Sequence, residues 1–202
     1  MAGDYIMDFS DDFLHAFNHA MLYEVGKFWN PEDPDVIEGR IDTREQRRKV
    51  GYVNIPQDRG GETKYGVAQK ANPQIRVRDL DLQGAMEVYF SKYWLGGACD
   101  KLPYPLTIMH FDGCVNHGPG RARKFLQRAL GIPEHEVNGD IGPQTLSAVE
   151  SMDQSDIISA ISGIRADFYN AIVERDPTQR MFLNGWMTRI NEVTDYTIKQ
   201  LH

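Results

Sequence analysis

Only two cysteines, Cys99 and Cys114, occur in 202 residues. So sparse a set cannot staple a small scaffold, and two reduced, partly buried thiols are expected rather than a disulfide framework. Long apolar runs are missing too. No stretch approaches the ~20 residues that cross a bilayer, so membrane insertion is not expected. The first residues carry Asp4 and Asp8 where a secretory signal would carry Lys or Arg, which points to synthesis in the cytoplasm without a Sec-type address. Basic charge is in deficit as well: 22 Lys and Arg face 29 Asp and Glu, a formal net charge of −7. That balance argues against a nucleic-acid partner, since phosphate binding needs a concentrated basic surface. Two local basic clusters remain, Arg40, Arg44, Arg47, Arg48 and Lys49, and Arg121, Arg123, Lys124 and Arg128. Both read as solvated helix faces. Repeats and low-complexity segments are absent.

What is present is an ordinary globular composition, 41% hydrophobic and 25% charged, long enough to bury a real core. The first helix is well marked. Ser10 is a good N-cap, Asp11 and Asp12 suit the positive end of the helix dipole, and Leu14, Phe17, Met21 and Leu22 define the expected apolar face. It should stop near Glu24, before Gly26. Trp29 to Lys49 is polar and Pro-bearing, an expected surface excursion with a short helix at 43–49. Gly51 to Gly66 has turn residues and alternating apolar positions, as in a small hairpin. Helical spacing resumes over 81–93, and the link Leu102-Pro103-Tyr104-Pro105 marks a domain boundary near residue 100. Further helices are expected at 106–115, 121–130, from Gly142-Pro143, at 157–174 and at 181–201. The fold class is therefore mainly α, with one small β or extended lobe.

Chemistry concentrates in that lobe. Asp58 and Thr63 bracket Gly60-Gly61, so a carboxylate and a hydroxyl flank a tight bend. Glu24 supplies a second carboxylate from a separate element. Two carboxyl groups in unlike surroundings are what acid–base cleavage of a glycosidic bond requires. The negative end of the first helix disfavours charge on Glu24, and Val25, Phe28 and Trp29 are placed to desolvate it, as suits a proton donor. Glu62 is the rival acid, but it sits on an exposed turn. His15 and His19 stand one helical turn apart without the glutamate of a zinc-protease helix between them. His110, Asp112 and His117 have no matching ligand cluster, and the His and Asn that adjoin Cys114 in sequence are not the signature of a nucleophilic cysteine, whose partners are normally distant in sequence. No metal or other cofactor is called for.

Several ordered motifs resemble glycoside hydrolase family 108, phage and bacterial lysozymes with a Glu-Gly-Gly-Tyr motif. In the first half these are Glu24 with Gly26, Gly51-Tyr52-Val53-Asn54, the run from Asp58 to Gly66, and Tyr93-Trp94. In the second half Val115 to Ala122, Leu126 to Gly131, Gly139 to Thr145 and Phe182 to Trp186 resemble the predicted peptidoglycan-binding region that accompanies this family. The resemblance implies a lysozyme-like catalytic region over 1–100, interrupted by an insertion at 27–50, and a helical peptidoglycan-binding region over 101–202 packed on it. It implies an N-acetylmuramidase that cleaves the β-1,4 bond between N-acetylmuramic acid and N-acetylglucosamine. Glu24 maps onto the family's catalytic glutamate only if 27–50 is a gap. An ungapped alignment from Tyr52 would put Lys49 there instead, and a lysine cannot donate in the same way.

On that basis Glu24 is the general acid, and Asp58 and Thr63 position water. Tyr65, Tyr93, Trp94 and Asn116 are candidate groove residues, because sugars are held by aromatic faces and directed polar groups. The expected partner is bacterial peptidoglycan, acted on by a monomeric endolysin that waits in the host cytoplasm before release to the wall. A virion-borne entry role stays open. The alternatives are a noncatalytic wall-binding protein and an enzyme of different bond choice on the same scaffold, such as a lytic transglycosylase or chitosanase.

Overall fold

The computed structural model describes residues 8–55 and 61–202. The chain forms two compact units that divide after Ser91. Helix dominates both among the described residues, and a single two-stranded sheet is joined by one isolated bridge. The fold is mainly α, as the sequence indicates.

In the first unit, helix α1 (Asp11–Glu24) is capped by the Ser10 hydroxyl, which accepts from Phe13 N–H at 3.3 Å. Phe13, Phe17 and Met21 recur every four residues and are buried with Ala16 and Ala20. Leu22, expected on this face, is instead 50% exposed. The aromatic stripe faces inward: Phe17 meets the Tyr89 ring edge-on at 5.3 Å, and Phe13 meets Phe90 at 5.1 Å. Tyr89 closes helix α4 (Leu82–Tyr89), whose N-cap Asp81 accepts from Gly84 N–H at 2.8 Å. Gly26 stops α1 in a left-handed conformation, φ +88°, as glycine can.

The 27–50 segment is more than a surface excursion. It holds helix α2 (Pro34–Ile37) and helix α3 (Arg44–Lys49), the latter started by a Thr43–Gln46 capping box. Val36 and Val50 are fully buried. Gly39, at φ +64°, lies so close to the start of α4 that a Cβ there would be 2.2 Å from the Leu80 carbonyl oxygen. The segment therefore contributes to the core through a few apolar and backbone contacts within a polar sequence.

The sheet is a hairpin of β1 (Thr63–Lys64) and β2 (Val67–Ala68), with Thr63 opposite Ala68. Its two turn residues, Tyr65 and Gly66, both have positive φ, 51° and 73°. That pattern belongs to a type I′ turn, whose twist suits a two-residue hairpin. Val53 pairs with Thr63 through backbone bonds of 2.8 and 2.9 Å.

The second unit centres on helix α5 (Leu106–His117), every residue of which is buried from Leu106 to Cys114. Helices α6 (Pro119–Ala129), α8 (Gln154–Arg175) and α9 (Arg180–Lys199) pack against it, and α7 (Pro143–Ser151) precedes α8. Prolines in the first turns of α6 and α7 cost no intrahelical bond. The Pro-bearing link at 102–105 lies inside this unit rather than at its edge, because the π-helical turn Phe90–Leu95 already sends Trp94 into its core against Phe111, ring to ring at 5.8 Å.

A buried charge cluster crosses this core. Asp112 accepts from Arg165 Nη2 at 2.5 Å and from Arg189 Nε at 2.9 Å. Burial alone would raise the Asp112 carboxyl, but the two guanidiniums hold it below the usual carboxylate range. Arg165 Nε donates to His117 Nε2 at 3.2 Å. Burial and the Arg165 charge push the His117 imidazole down to about 3, so it remains neutral.

Candidate active site

Glu24 is the last residue of α1, half-buried, and the chain returns to it twice. At Gly51, φ +59°, a Cβ would be 3.4 Å from Val25 Cγ2 and 3.5 Å from the Glu24 carbonyl oxygen. At Gly66 a Cβ would be 3.1 Å from Glu24 Oε2 and 2.5 Å from the Tyr89 hydroxyl. The Glu24 carboxylate and the Tyr89 phenol thus share the small space that the bare hairpin turn leaves open. Tyr89 donates to the Tyr65 carbonyl at 3.0 Å, which pins the turn against the helices. The segment 27–50 leaves after Gly26 and comes back at Gly51, so Tyr52-Val53-Asn54 follows Glu24 in space although not in sequence.

Thr63 sits in β1 of this hairpin, its hydroxyl directed to the Gly61 carbonyl at 3.5 Å. Asp58 lies outside the described residues. Glu62, the rival acid, is engaged: it accepts from the Tyr52 hydroxyl, and Arg78 Nε stands 3.4 Å from the same oxygen. Lys49, which an ungapped alignment would place at the catalytic position, is tied to Asp33 and Asp35, each at 2.9 Å. The hydrogen bonds it donates to those two carboxylates hold its ammonium above the ordinary lysine value. A groove of about 400 Å³ runs beside the lobe, lined by Arg47, Tyr52, Val53, Asn54 and Arg78.

The expected groove residues divide. Tyr65 is fully buried, and its hydroxyl donates to the Val36 carbonyl, joining the hairpin to the 27–50 segment. Its side chain is a strut, because the left-handed turn sends it into the core. Trp94 is 3% exposed and packs on Phe111, so it offers no open ring face. Tyr93 is half-buried, with Lys92 Nζ 5.4 Å from its ring. Asn116 is exposed and donates to the Tyr169 hydroxyl at 2.8 Å. Tyr169 stacks on Trp186 at 4.7 Å, and Trp186 on Phe182 at 5.9 Å. Glu24 and Tyr65 belong to the first unit, whereas Tyr93, Trp94 and Asn116 belong to the second.

One cluster escaped the sequence reading. Cys99, His110 and Cys114 are all buried, with ligand atoms within 4.8 Å of one another. His110 and Cys114 are one helical turn apart on α5, a spacing legible in the sequence, but Cys99 joins them only through the fold. Burial would raise the Cys114 thiol, yet contacts with Cys99 and His110 bring it to about 5. Cys99, deprived of water, is pushed well up. Both thiols are free and fully buried rather than partly so.

Residues 38–118 match the family described as Glycosyl hydrolase 108, and residues 121–191 match the Predicted Peptidoglycan domain. The chain joins a glycosyl hydrolase 108 region to a predicted peptidoglycan domain. Together the two matches support a peptidoglycan-degrading glycoside hydrolase, with peptidoglycan as its partner. The match includes Thr63, Tyr65, Tyr93, Trp94 and Asn116, and starts after Glu24. The chain is also similar to the solved structure of Brucella abortus SagA, at 26% identity and a TM-score of 0.66, over 93% of this chain and 94% of that one. No curated protein matches the sequence.

Proposed function

We propose that the protein is an N-acetylmuramidase that hydrolyses the β-1,4 bond between N-acetylmuramic acid and N-acetylglucosamine, with Glu24 as general acid. The observation that carries this reading is the position of the Glu24 carboxylate against Gly66 and Tyr89, on the lobe that bears Thr63. The return of the chain to Val25 at Gly51 supports the gapped alignment. It restores beside Glu24 the Tyr52-Val53-Asn54 segment that follows the glutamate in the family motif. Lys49, held by two aspartates, serves the fold of the insertion instead.

In this mechanism Glu24 gives its proton to the leaving glycosidic oxygen as positive charge develops on the sugar ring. Asp58 activates or orients the attacking water, and the Thr63 hydroxyl, able both to donate and to accept, positions it.

Glu24→Gln keeps the shape and removes the acid. Digestion of purified peptidoglycan should slow by about 10²–10⁴-fold, whereas Lys49→Met should leave the rate near wild type. Mass spectrometry of the wild-type digest should show reducing muramic ends. Anhydromuramic ends would instead identify a transglycosylase, and a Glu24→Gln protein of undiminished rate would remove Glu24 from the chemistry.

A further inference from the structure

We propose that Cys99, His110 and Cys114 form a binding site for a thiophilic divalent cation, with Zn²⁺ as its ordinary occupant, in the core of the second unit. Two sulfurs and one imidazole nitrogen are donors of the types zinc takes, and three protein ligands leave a fourth position of its tetrahedron to a further donor. Their spacing is already close to what an ion needs. An ion central to three atoms at the 4.8 Å limit would lie about 2.8 Å from each, roughly half an ångström beyond a zinc–sulfur bond.

The surroundings are arranged for those three atoms. His110 Nε2 donates to the Gly97 carbonyl at 2.9 Å, which leaves Nδ1 as the basic nitrogen. Such a bond on the far side of the ring is how metal-binding histidines are usually oriented. Gly97 has no side chain where one would collide: a Cβ there would be 2.4 Å from Cys114 Sγ and 3.1 Å from Cys99 Sγ. The next residue, Ala98, takes a left-handed conformation, φ 58°, which is unfavourable for a residue with a Cβ and turns Cys99 toward α5. The protonated Cys99 thiol donates to the Tyr93 carbonyl oxygen at 3.8 Å, and a water would complete the four-coordinate set once the ion binds. Binding displaces to solvent the Cys99 proton and the proton that Cys114 and His110 hold between them, and the cation compensates the buried thiolates.

The site is independent of the muramidase reading, and so is its test. The full-length protein, reduced and freed of metal, is titrated with Co²⁺ as a spectroscopic probe. A sulfur-to-cobalt charge-transfer band should saturate at one equivalent and vanish when one equivalent of Zn²⁺ is added. Zn²⁺ should raise the Tm by several degrees, reversibly on chelation. Cys114→Ser and His110→Ala should weaken Co²⁺ binding at least tenfold. Absence of the band in wild-type protein whose two thiols are titratable would overturn the proposal without recourse to variants. So would a band that persists unchanged in Cys114→Ser.

Discussion

The two units hold themselves together by different means. Up to Ser91 the structure relies on short elements fixed by backbone conformations that few residues adopt: left-handed Gly26, Gly39, Gly51 and Gly66, the positive φ of Tyr65, and hydrogen bonds such as Tyr65 hydroxyl to Val36 and Tyr89 hydroxyl to Tyr65. From Lys92 onward, long helices surround one almost wholly buried helix, with ion pairs and thiols enclosed at its centre. A site that must bring a carboxylate, a hydroxyl and a bare turn together needs a chain that reverses often. A unit of long helices can instead afford buried polar groups, provided that each is paired.

The sharpest contrast sets Glu24→Gln against Asp112→Ala. The first should remove activity while leaving the Tm close to wild type, because the half-buried Glu24 keeps its shape as glutamine. The second strands the fully buried Arg165 and should cost about 3–5 kcal/mol in urea denaturation. Equal destabilisation by both would erase the distinction.

Acid should affect the second unit next most strongly. Asp112 is held below its ordinary value, so its stabilisation is present above about pH 4 and is lost as pH falls through the folded-state value. His117 titrates at about 3 when folded against 6.5 ordinarily. Between those values the unfolded chain binds more protons, so stability falls as pH drops from 6.5 toward 3. Both groups act with the same sign, and a few kcal/mol should disappear across that window. Urea midpoints measured against pH check this, and His117→Gln should flatten the upper part of the slope.

A loss of stability smaller than that of Asp112→Ala is expected for Gly66→Ala, about 1–3 kcal/mol from a strained φ and a contact 2.5 Å from the Tyr89 hydroxyl. The loss of activity should exceed that loss of stability, since the new methyl also lies 3.1 Å from Glu24 Oε2. Kinetics and thermal melts on one preparation separate the two.

Helices were legible where local chemistry sufficed: Ser10 with Asp11 and Asp12 starts α1, Gly26 stops it, and the first-turn prolines mark α6 and α7. Leu22 was misplaced because helical period alone cannot choose between neighbouring apolar stripes. The choice fell to aromatic packing by Phe13 and Phe17. Tyr65 read as a groove residue because its neighbours carry chemistry, but the sign of φ at a hairpin turn decides where a side chain points. The 27–50 segment read as surface because its composition is polar, although Val36, Val50 and Gly39 bring it into the core.

The sequence by itself determined the mainly-α class, the hairpin and the order of motifs, because capping, periodicity and turn chemistry act within a few residues. Only tertiary structure brought Gly51 and Gly66 to Glu24, closed Asp112 between Arg165 and Arg189, and drew Cys99 to the His110 and Cys114 pair. Those contacts join residues far apart in the chain. Their energy comes from burial and close approach, which no local pattern encodes.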